Sequence, residues 1–307
     1  MFHVEQSITI KKCPVCGEED HKDLLICRDH TATQEDFRIV ECMQCGFAFT
    51  SPRPADERLG AYYASKDYIS HSNTKKGLIS GLYQVVRKRT LRGKLGLLNK
   101  EAAAKGSILD IGCGTGEFLN VCKTGGWKVI GVEPNEEARK KAIANYELDV
   151  REEIYLATAA PGSFDAITLW HVLEHIPRLH ERLRQLKSLL KADGVLIIAV
   201  PNRSSHDAAY YGKFWAAYDV PRHLWHFRPQ DMRKLLDRFG FSVQQVLPMR
   251  YDSYYVSMLS EKYKTGGINF LRAVYRGWLS NRKAGMEKWS SQIYVIRHLS
   301  TSSGCQG

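Results

Sequence analysis

The sequence predicts an α/β fold: a mostly parallel sheet covered by helices on both faces, preceded by a small cysteine-rich module. Three observations predict it. From Ser107 onward, short apolar runs alternate with helix-like segments, the rhythm of a parallel sheet with covered faces. Asp110-Ile-Gly-Cys-Gly-Thr-Gly116 places glycine at every second position directly after one such run. Ahead of both, Cys13-Pro-Val-Cys16-Gly and Cys42-Met-Gln-Cys45-Gly repeat one turn pattern.

In chain order, residues 1–50 read as a zinc-ribbon-like module, resembling those of many prokaryotic proteins. Each Cys-x-x-Cys-Gly turn can set two thiolates on one metal, so Cys13, Cys16, Cys42 and Cys45 are the expected ligands. A hairpin of Asp23–Cys27 and Phe37–Val40 fills the interval between the pairs. Four thiolates favour zinc over harder ions. Disulfides are the competing reading, and the expected reducing compartment argues against them. Cys27, Cys113, Cys122 and Cys305 show no partner spacing.

Residues 51–100 read as a helical pre-core or lid segment. Thr50-Ser-Pro-Arg-Pro54 breaks regular structure. Ala55 to about Asn99 then reads as helical, interrupted at Ser70–Gly77, with tyrosines at 62, 63, 68 and 83. Residues 101–307 form the main domain. Its strands are expected at Ile108–Ile111, Val129–Val132, weakly near Asp149–Arg151, then at Ala166–Trp170, Val195–Val200, Phe241–Leu247 and Ile293–His298. Helices fall at Asn135–Asn145, His180–Leu190 and Gln230–Phe239, with Gly194 and Gly240 as breaks. A further helical insertion is expected at about 252–290.

The glycine run decides the chemistry. Glycines at 112, 114 and 116 let the backbone turn tightly and lie against a ligand without a Cβ in the way. A dinucleotide fingerprint would need Gly-x-Gly-x-x-Gly, and its third position would here be Glu117. The acid-x-Gly-x-Gly-x-Gly pattern that is present resembles the first motif of class I S-adenosylmethionine-dependent methyltransferases. Lys128-Val-Ile-Gly-Val-Glu133-Pro reads as the second strand, ending in a carboxylate able to accept both hydroxyls of a ribose. The resemblance implies a Rossmann-like, seven-stranded methyltransferase sheet whose last strand is inserted antiparallel. It also implies that Asp110, Gly112, Cys113, Gly114 and Gly116 hold the methionine end of the cofactor, and Glu133 and Pro134 its ribose side. Cys113 also has a bland reading, as a small side chain the loop tolerates.

Two later segments carry the candidate acceptor chemistry. Trp170-His171-Val-Leu-Glu174-His175-Ile-Pro177 resembles the Leu-Glu-His segment after the fourth strand of small-molecule methyltransferases, including those acting on quinone precursors. That places Trp170 and His171 near the cofactor, with His175 either catalytic or closing the turn. Asp219-Val-Pro-Arg-His223-Leu-Trp-His226 follows a run of aromatics and supplies His223 and His226 as candidate bases, His223 ranked first. Asp219 and Arg222 would meet the acceptor, arginine suiting a carboxylate or phosphate. Tyr62 to His71 is similar to a segment of zinc-bearing sugar C-methyltransferases, which makes Tyr68 a substrate candidate. Packing under aromatics is the structural alternative for the histidine loop. A metal on His223 and His226 lacks a carboxylate partner motif.

At 307 residues the chain suits one large domain with an appendage, and its hydrophobic content of 44% is ample for a core. No apolar run approaches the roughly 20 residues of a spanning helix. The opening Met1-Phe-His-Val-Glu-Gln lacks a signal pattern, so the expected location is the cytoplasm. The net charge of +11 gathers at Arg87–Lys94 and at Lys262–Lys283. The expected function is methylation, at oxygen or carbon, of a small molecule or a cell-envelope saccharide or lipid precursor, with S-adenosylmethionine and zinc as cofactors. An RNA methyltransferase docking through its ribbon is one alternative. The ribbon's acids offset its bases, whereas an RNA surface should be basic. A non-catalytic zinc-ribbon interaction protein is the other alternative. The oligomeric state stays open.

Overall fold

The computed structural model describes residues 7–63 and 78–299. The N-terminal part contributes β1 (Ser7–Ile8), β2 (His21–Arg28), β3 (Asp36–Cys42), β4 (Ala48–Thr50) and β5 (Arg53–Pro54). Helix α1 (Asp56–Leu59) and a 3-10 turn over Gly60–Tyr63 follow, and α2 (Leu78–Glu101) leads into the main sheet. That sheet uses β6 (Ser107–Ile111), β7 (Lys128–Val132), β8 (Val150–Arg151), β9 (Phe164–Trp170) and β10 (Leu190–Pro201). Beyond β11 (Trp225–His226), which lies elsewhere, come β12 (Phe241–Pro248) and β13 (Ser291–His298). The strand order is β12-β13-β10-β9-β6-β7-β8, with β13 antiparallel to both neighbours. This is the mostly parallel, seven-stranded arrangement expected.

Continuous apolar runs make the central strands. Ile108, Leu109, Ile167, Leu169, Leu196 and Ile198 are all fully buried, as required of strands covered on both faces. The helices cover those faces: α3 (Glu117–Thr124), α4 (Glu136–Tyr146), α5 (Tyr155–Thr158), α6 (Leu179–Leu189), α7 (His206–Tyr211) and α8 (Pro229–Arg238). Local chemistry sets their starts. Asn135 caps α4 by accepting from the Ala138 amide at 2.9 Å, and Pro229 opens α8 above an Arg228–Asp231 capping pair. The insertion folds as two helices, α9 (Asp252–Thr265) and α10 (Phe270–Lys283). Buried acids seat it. Asp207 accepts from Trp215 Nε1, Ser280 Oγ and Ser290 Oγ at 2.6–2.9 Å, and Tyr211 donates to Glu261 at 3.0 Å.

The ribbon sheet has the order β11-β4-β3-β2, so its edge strand comes from far down the chain. Trp225 pairs with Phe49 and His226 with Ala48. Phe47, Phe49, Trp225 and Phe227 pack ring against ring beneath that seam. Main-domain side chains hold the two cysteine turns by their carbonyls. Arg228 donates to Cys45 O at 2.9 Å, the His180 ring bonds Pro14 O at 2.6 Å, and Arg238 donates to Val15 O.

Candidate active site

The four ribbon cysteines converge. Cys13 and Cys45 sulfurs lie 3.6 Å apart and Cys16 and Cys42 sulfurs 3.5 Å, with all four within 4.8 Å of one another. These spacings are far longer than a disulfide bond and close to the edges of a tetrahedron around a metal with bonds of about 2.3 Å. Gly17 and Gly46 end the two turns at φ +87° and +70°. At Gly46 a Cβ would also come within 2.9 Å of the Arg228 guanidinium. The donor set fits zinc.

At the C-terminal edge of the sheet, the loop after β6 runs through left-handed glycines. Gly112 has φ +69°, and a Cβ there would sit 2.4 Å from Val172 Cγ2. Gly116, at φ +84°, opens α3 with Ala142 and Leu148 against it. A side chain at either position would close the cradle. Asp110 lies beneath it, buried, accepting from Thr168 Oγ1 at 2.5 Å. Burial pushes its carboxyl up to about 7, against the Thr168 bond and the Lys94 charge. The Glu133 carboxylate spans the mouth of the loop, accepting from the Gly114 amide at 2.9 Å and the Asn135 amide at 2.9 Å. Pro134 follows it, with its carbonyl bonded by Arg139 at 2.8 Å. Cys113 is buried beside Gly131, whose added Cβ would meet its sulfur at 2.7 Å. Its small side chain is what that contact allows.

Strand β9 lies beside β6, so its end opens onto the same crevice. Trp170 sits there with Lys94 Nζ 4.1 Å from its ring centroid. Burial lowers the Lys94 ammonium to about 8, against the pull of Asp110 and Asp252. His171 adopts φ +58°, a conformation costing a non-glycine residue about 1–2 kcal/mol. Its ring is pinned between Asp252 at 2.9 Å and Glu174 at 3.4 Å. Although burial opposes the charge, those two carboxylates raise its pKa to about 10.

A second cluster forms where two distant segments meet. Glu174 is fully buried, and neither carboxylate oxygen receives a hydrogen bond. Burial alone would raise its pKa, but His171, His175 and His223 hold it below the usual range. The His175 and His223 rings meet edge to face at 4.5 Å. Donor atoms of Glu174, His175 and His223 all lie within 4.8 Å of one another, the donor set of a cation site as well as of a proton relay. His223 Nδ1 donates to the Ala217 carbonyl at 2.8 Å, and its Nε2 lies 3.9 Å from Asp219 Oδ2. His175 uses Nδ1 toward both Tyr63 Oη at 2.9 Å and Arg222 O at 3.1 Å. Burial, then the neighbouring His223, depress His175 to about 4, so it is neutral at physiological pH.

Other expected site residues lie elsewhere. His226 is built into the ribbon seam, with Nε2 3.1 Å from Thr50 Oγ1, and burial holds its pKa well below the ordinary value. Arg222, expected to meet an acceptor anion, is instead a buried tie. Its guanidinium bonds Asp219 at 2.6 and 3.0 Å, Asp29 at 3.2 Å and the Tyr62 carbonyl at 3.1 Å. An acceptor anion reaching Arg222 would have to displace one of these partners. Tyr68 lies outside the described residues. Asp29, Lys94, Thr168 and Asp252 join the crevice or its supports without having been singled out in the sequence, whereas Tyr63 belongs to the Tyr62–His71 segment noted there. Only Asp29 had a signal there, in the Asp29-His-Thr-Ala-Thr33 turn where its carboxylate accepts from three backbone amides.

The profile of a family described as a methyltransferase domain matches residues 83–246, more than half of the chain. The chain belongs to that family. It is a class I S-adenosylmethionine-dependent methyltransferase, with a zinc-ribbon-like cysteine cluster ahead of its catalytic domain. A ubiquinone biosynthesis O-methyltransferase of Xanthomonas campestris pv. campestris (strain B100) is 29% identical over 160 residues, covering 48% of this chain and 67% of that protein. One of the same name from Chromobacterium violaceum is 25% identical over 199 residues, covering 60% and 84%. Among solved structures, magnesium protoporphyrin IX methyltransferase from Synechocystis PCC 6803, with bound S-adenosylhomocysteine, superposes with a TM-score of 0.52 at 15% identity. That match covers 77% of this chain and 96% of the other. The fold of this methyltransferase is therefore shared well beyond the reach of sequence identity.

Proposed function

We propose that this methyltransferase acts on an oxygen or carbon of a small molecule or a cell-envelope saccharide or lipid precursor, with His223 taking the proton that the acceptor loses. When bound, S-adenosylmethionine supplies a methyl group already activated on a sulfonium, so the protein's task is placement and proton removal. Asp110 and the loop from Gly112 to Gly116 would hold the methionine end, Glu133 the ribose hydroxyls, and Trp170 with His171 the wall toward the acceptor.

The observation that carries this reading is the His223 ring. Its Nδ1 is tied to a backbone carbonyl, its Nε2 makes no direct hydrogen bond among the described residues and lies 3.9 Å from Asp219 Oδ2, and the buried carboxylates beside it would stabilise the imidazolium that proton removal creates. His175 stays neutral and, through Tyr63, ties the pair to the pre-core turn. The ubiquinone-pathway names of the relatives support a hydroxyl acceptor on a small molecule. Methyl-tritiated cofactor offered to fractionated cell extract, with and without ribonuclease, tests the reading. Label is expected in a ribonuclease-resistant small-molecule or lipid fraction. Label lost to ribonuclease would transfer the assignment to RNA.

A second reading is favoured by the buried Glu174 carboxylate, which has the His171 ion pair at 3.4 Å but accepts no hydrogen bond among the described residues. A divalent cation held by Glu174, His175 and His223 would polarise the acceptor oxygen in place of a base. Activity that disappears on dialysis against a chelator and returns with a divalent transition metal such as manganese or iron, while ribbon zinc is retained by analysis, would select it.

A further inference from the structure

Residues 262–283 contain six lysines and arginines and no aspartate or glutamate, more than half of the chain's net +11. The same region is apolar on its outside. Of the sixteen large apolar side chains exposed among the described residues, nine lie between positions 251 and 286. On α10, at 3.6 residues per turn, Phe270, Leu271, Val274, Tyr275 and Trp278 occupy one arc of about 140°. Leu271 is 81% exposed. The helix is seated by a different face, where Ala273, Gly277 and Ser280 are buried and Gly277 lies so close to Tyr254 that a Cβ would meet its Cα at 2.8 Å. The exposed arc is therefore not a packing face left open.

We propose that this arc docks on an anionic lipid bilayer, the helix lying in the interface with Arg282 on the arc among the headgroups. Tyr275 and Trp278 stack at 6.0 Å, with the Arg282 guanidinium 5.2 Å from the Trp278 ring, the pairing of aromatic and cation that suits a membrane–water boundary. A second copy on a two-fold axis would set this acid-free cationic surface against itself. RNA would use the aromatic rings but has nothing for Leu271, Val274 and the exposed Ile268. Anionic headgroups over acyl chains complement both halves of the pattern. No described helix is long and apolar enough to cross a membrane, so the contact lies on the surface. Asp252, the first residue of α9, holds His171, so the docked helices border the crevice. The docking is independent of which acceptor the crevice takes.

Co-sedimentation of the full chain with vesicles tests it. Binding is expected to vesicles of phosphatidylcholine mixed with phosphatidylglycerol and not to phosphatidylcholine alone, and it should weaken as salt is added. Leu271→Glu should lower vesicle affinity at least tenfold, and Arg282→Gln with Lys283→Gln severalfold. Both variants should keep wild-type affinity for S-adenosylmethionine, which shows that they fold. Absence of binding to anionic vesicles at low salt would overturn the proposal, as would equal binding by wild type and Leu271→Glu. A dimer in sedimentation equilibrium that Leu271→Glu dissociates, without vesicle binding, would reassign the face to a second copy. RNA binding untouched by Leu271→Glu, again without vesicle binding, would reassign it to nucleic acid.

Discussion

The two sides of the crevice are built in opposite ways. The cofactor side is mostly backbone: one loop of seven residues with glycines in left-handed conformations, closed by acids at the ends of two adjacent strands. The proposed acceptor side is all side chain, assembled from Tyr63, Glu174, His175 and His223, which are separated by as many as 160 positions in sequence. A site made from local backbone tolerates change around it and almost none within it. A site made from distant side chains depends on whatever holds those segments together, which here includes the ribbon.

The largest effect should come from the acceptor side. His223→Ala should lower kcat by about 10²–10⁴ with little change in cofactor affinity, the range for loss of a general base. Equal loss of cofactor affinity would merge the two sides into one. Next, Asp110→Asn should weaken S-adenosylmethionine binding by about 10- to 100-fold in titration calorimetry, the worth of a charge-assisted bond. Unchanged affinity would remove Asp110 from the cofactor side. Cys42→Ser should lower the melting temperature and kcat together while leaving cofactor affinity within a few-fold, because the ribbon supports His223 and not the glycine loop. Smallest is a pH effect. Asp110 ionises near 7, so cofactor affinity should rise as pH passes upward through about 7. The same shift acts on stability in the opposite direction. A carboxyl whose folded pKa is raised favours the folded state most below its unfolded value, and that contribution is lost as pH rises through the folded one. Asp110→Asn should flatten both profiles.

The asymmetry also explains what could be read in advance. The glycine loop, the strand ending in Glu133, the seven strands and the two cysteine turns were all legible, because each is a local pattern with a local cause. His175 and His223 were legible as candidates, but not as neighbours, since nothing in sequence spacing brings position 175 to 223. Arg222 misled for a related reason. An arginine among aromatics and histidines has the composition of an anion pocket, and only the fold shows Asp29 of the ribbon closing on it. Lys94 and Asp252 were invisible, one being a single cation in a basic helix and the other the first residue of an insertion with no recognisable motif.

The strand pairing of Trp225 with Phe49 has a consequence for ancestry and engineering. The segment bearing His223 ends as an edge strand of the ribbon sheet, and Thr50 bonds the His223 carbonyl at 2.9 Å. The metal module is thus no detachable cassette. Transplanting it onto a homologue lacking one would require carrying residues 219–228 across as well. Deleting it would strip a strand partner from the peptide that bears His223. A change to either the cysteine turns or the histidine loop is therefore expected to disturb both.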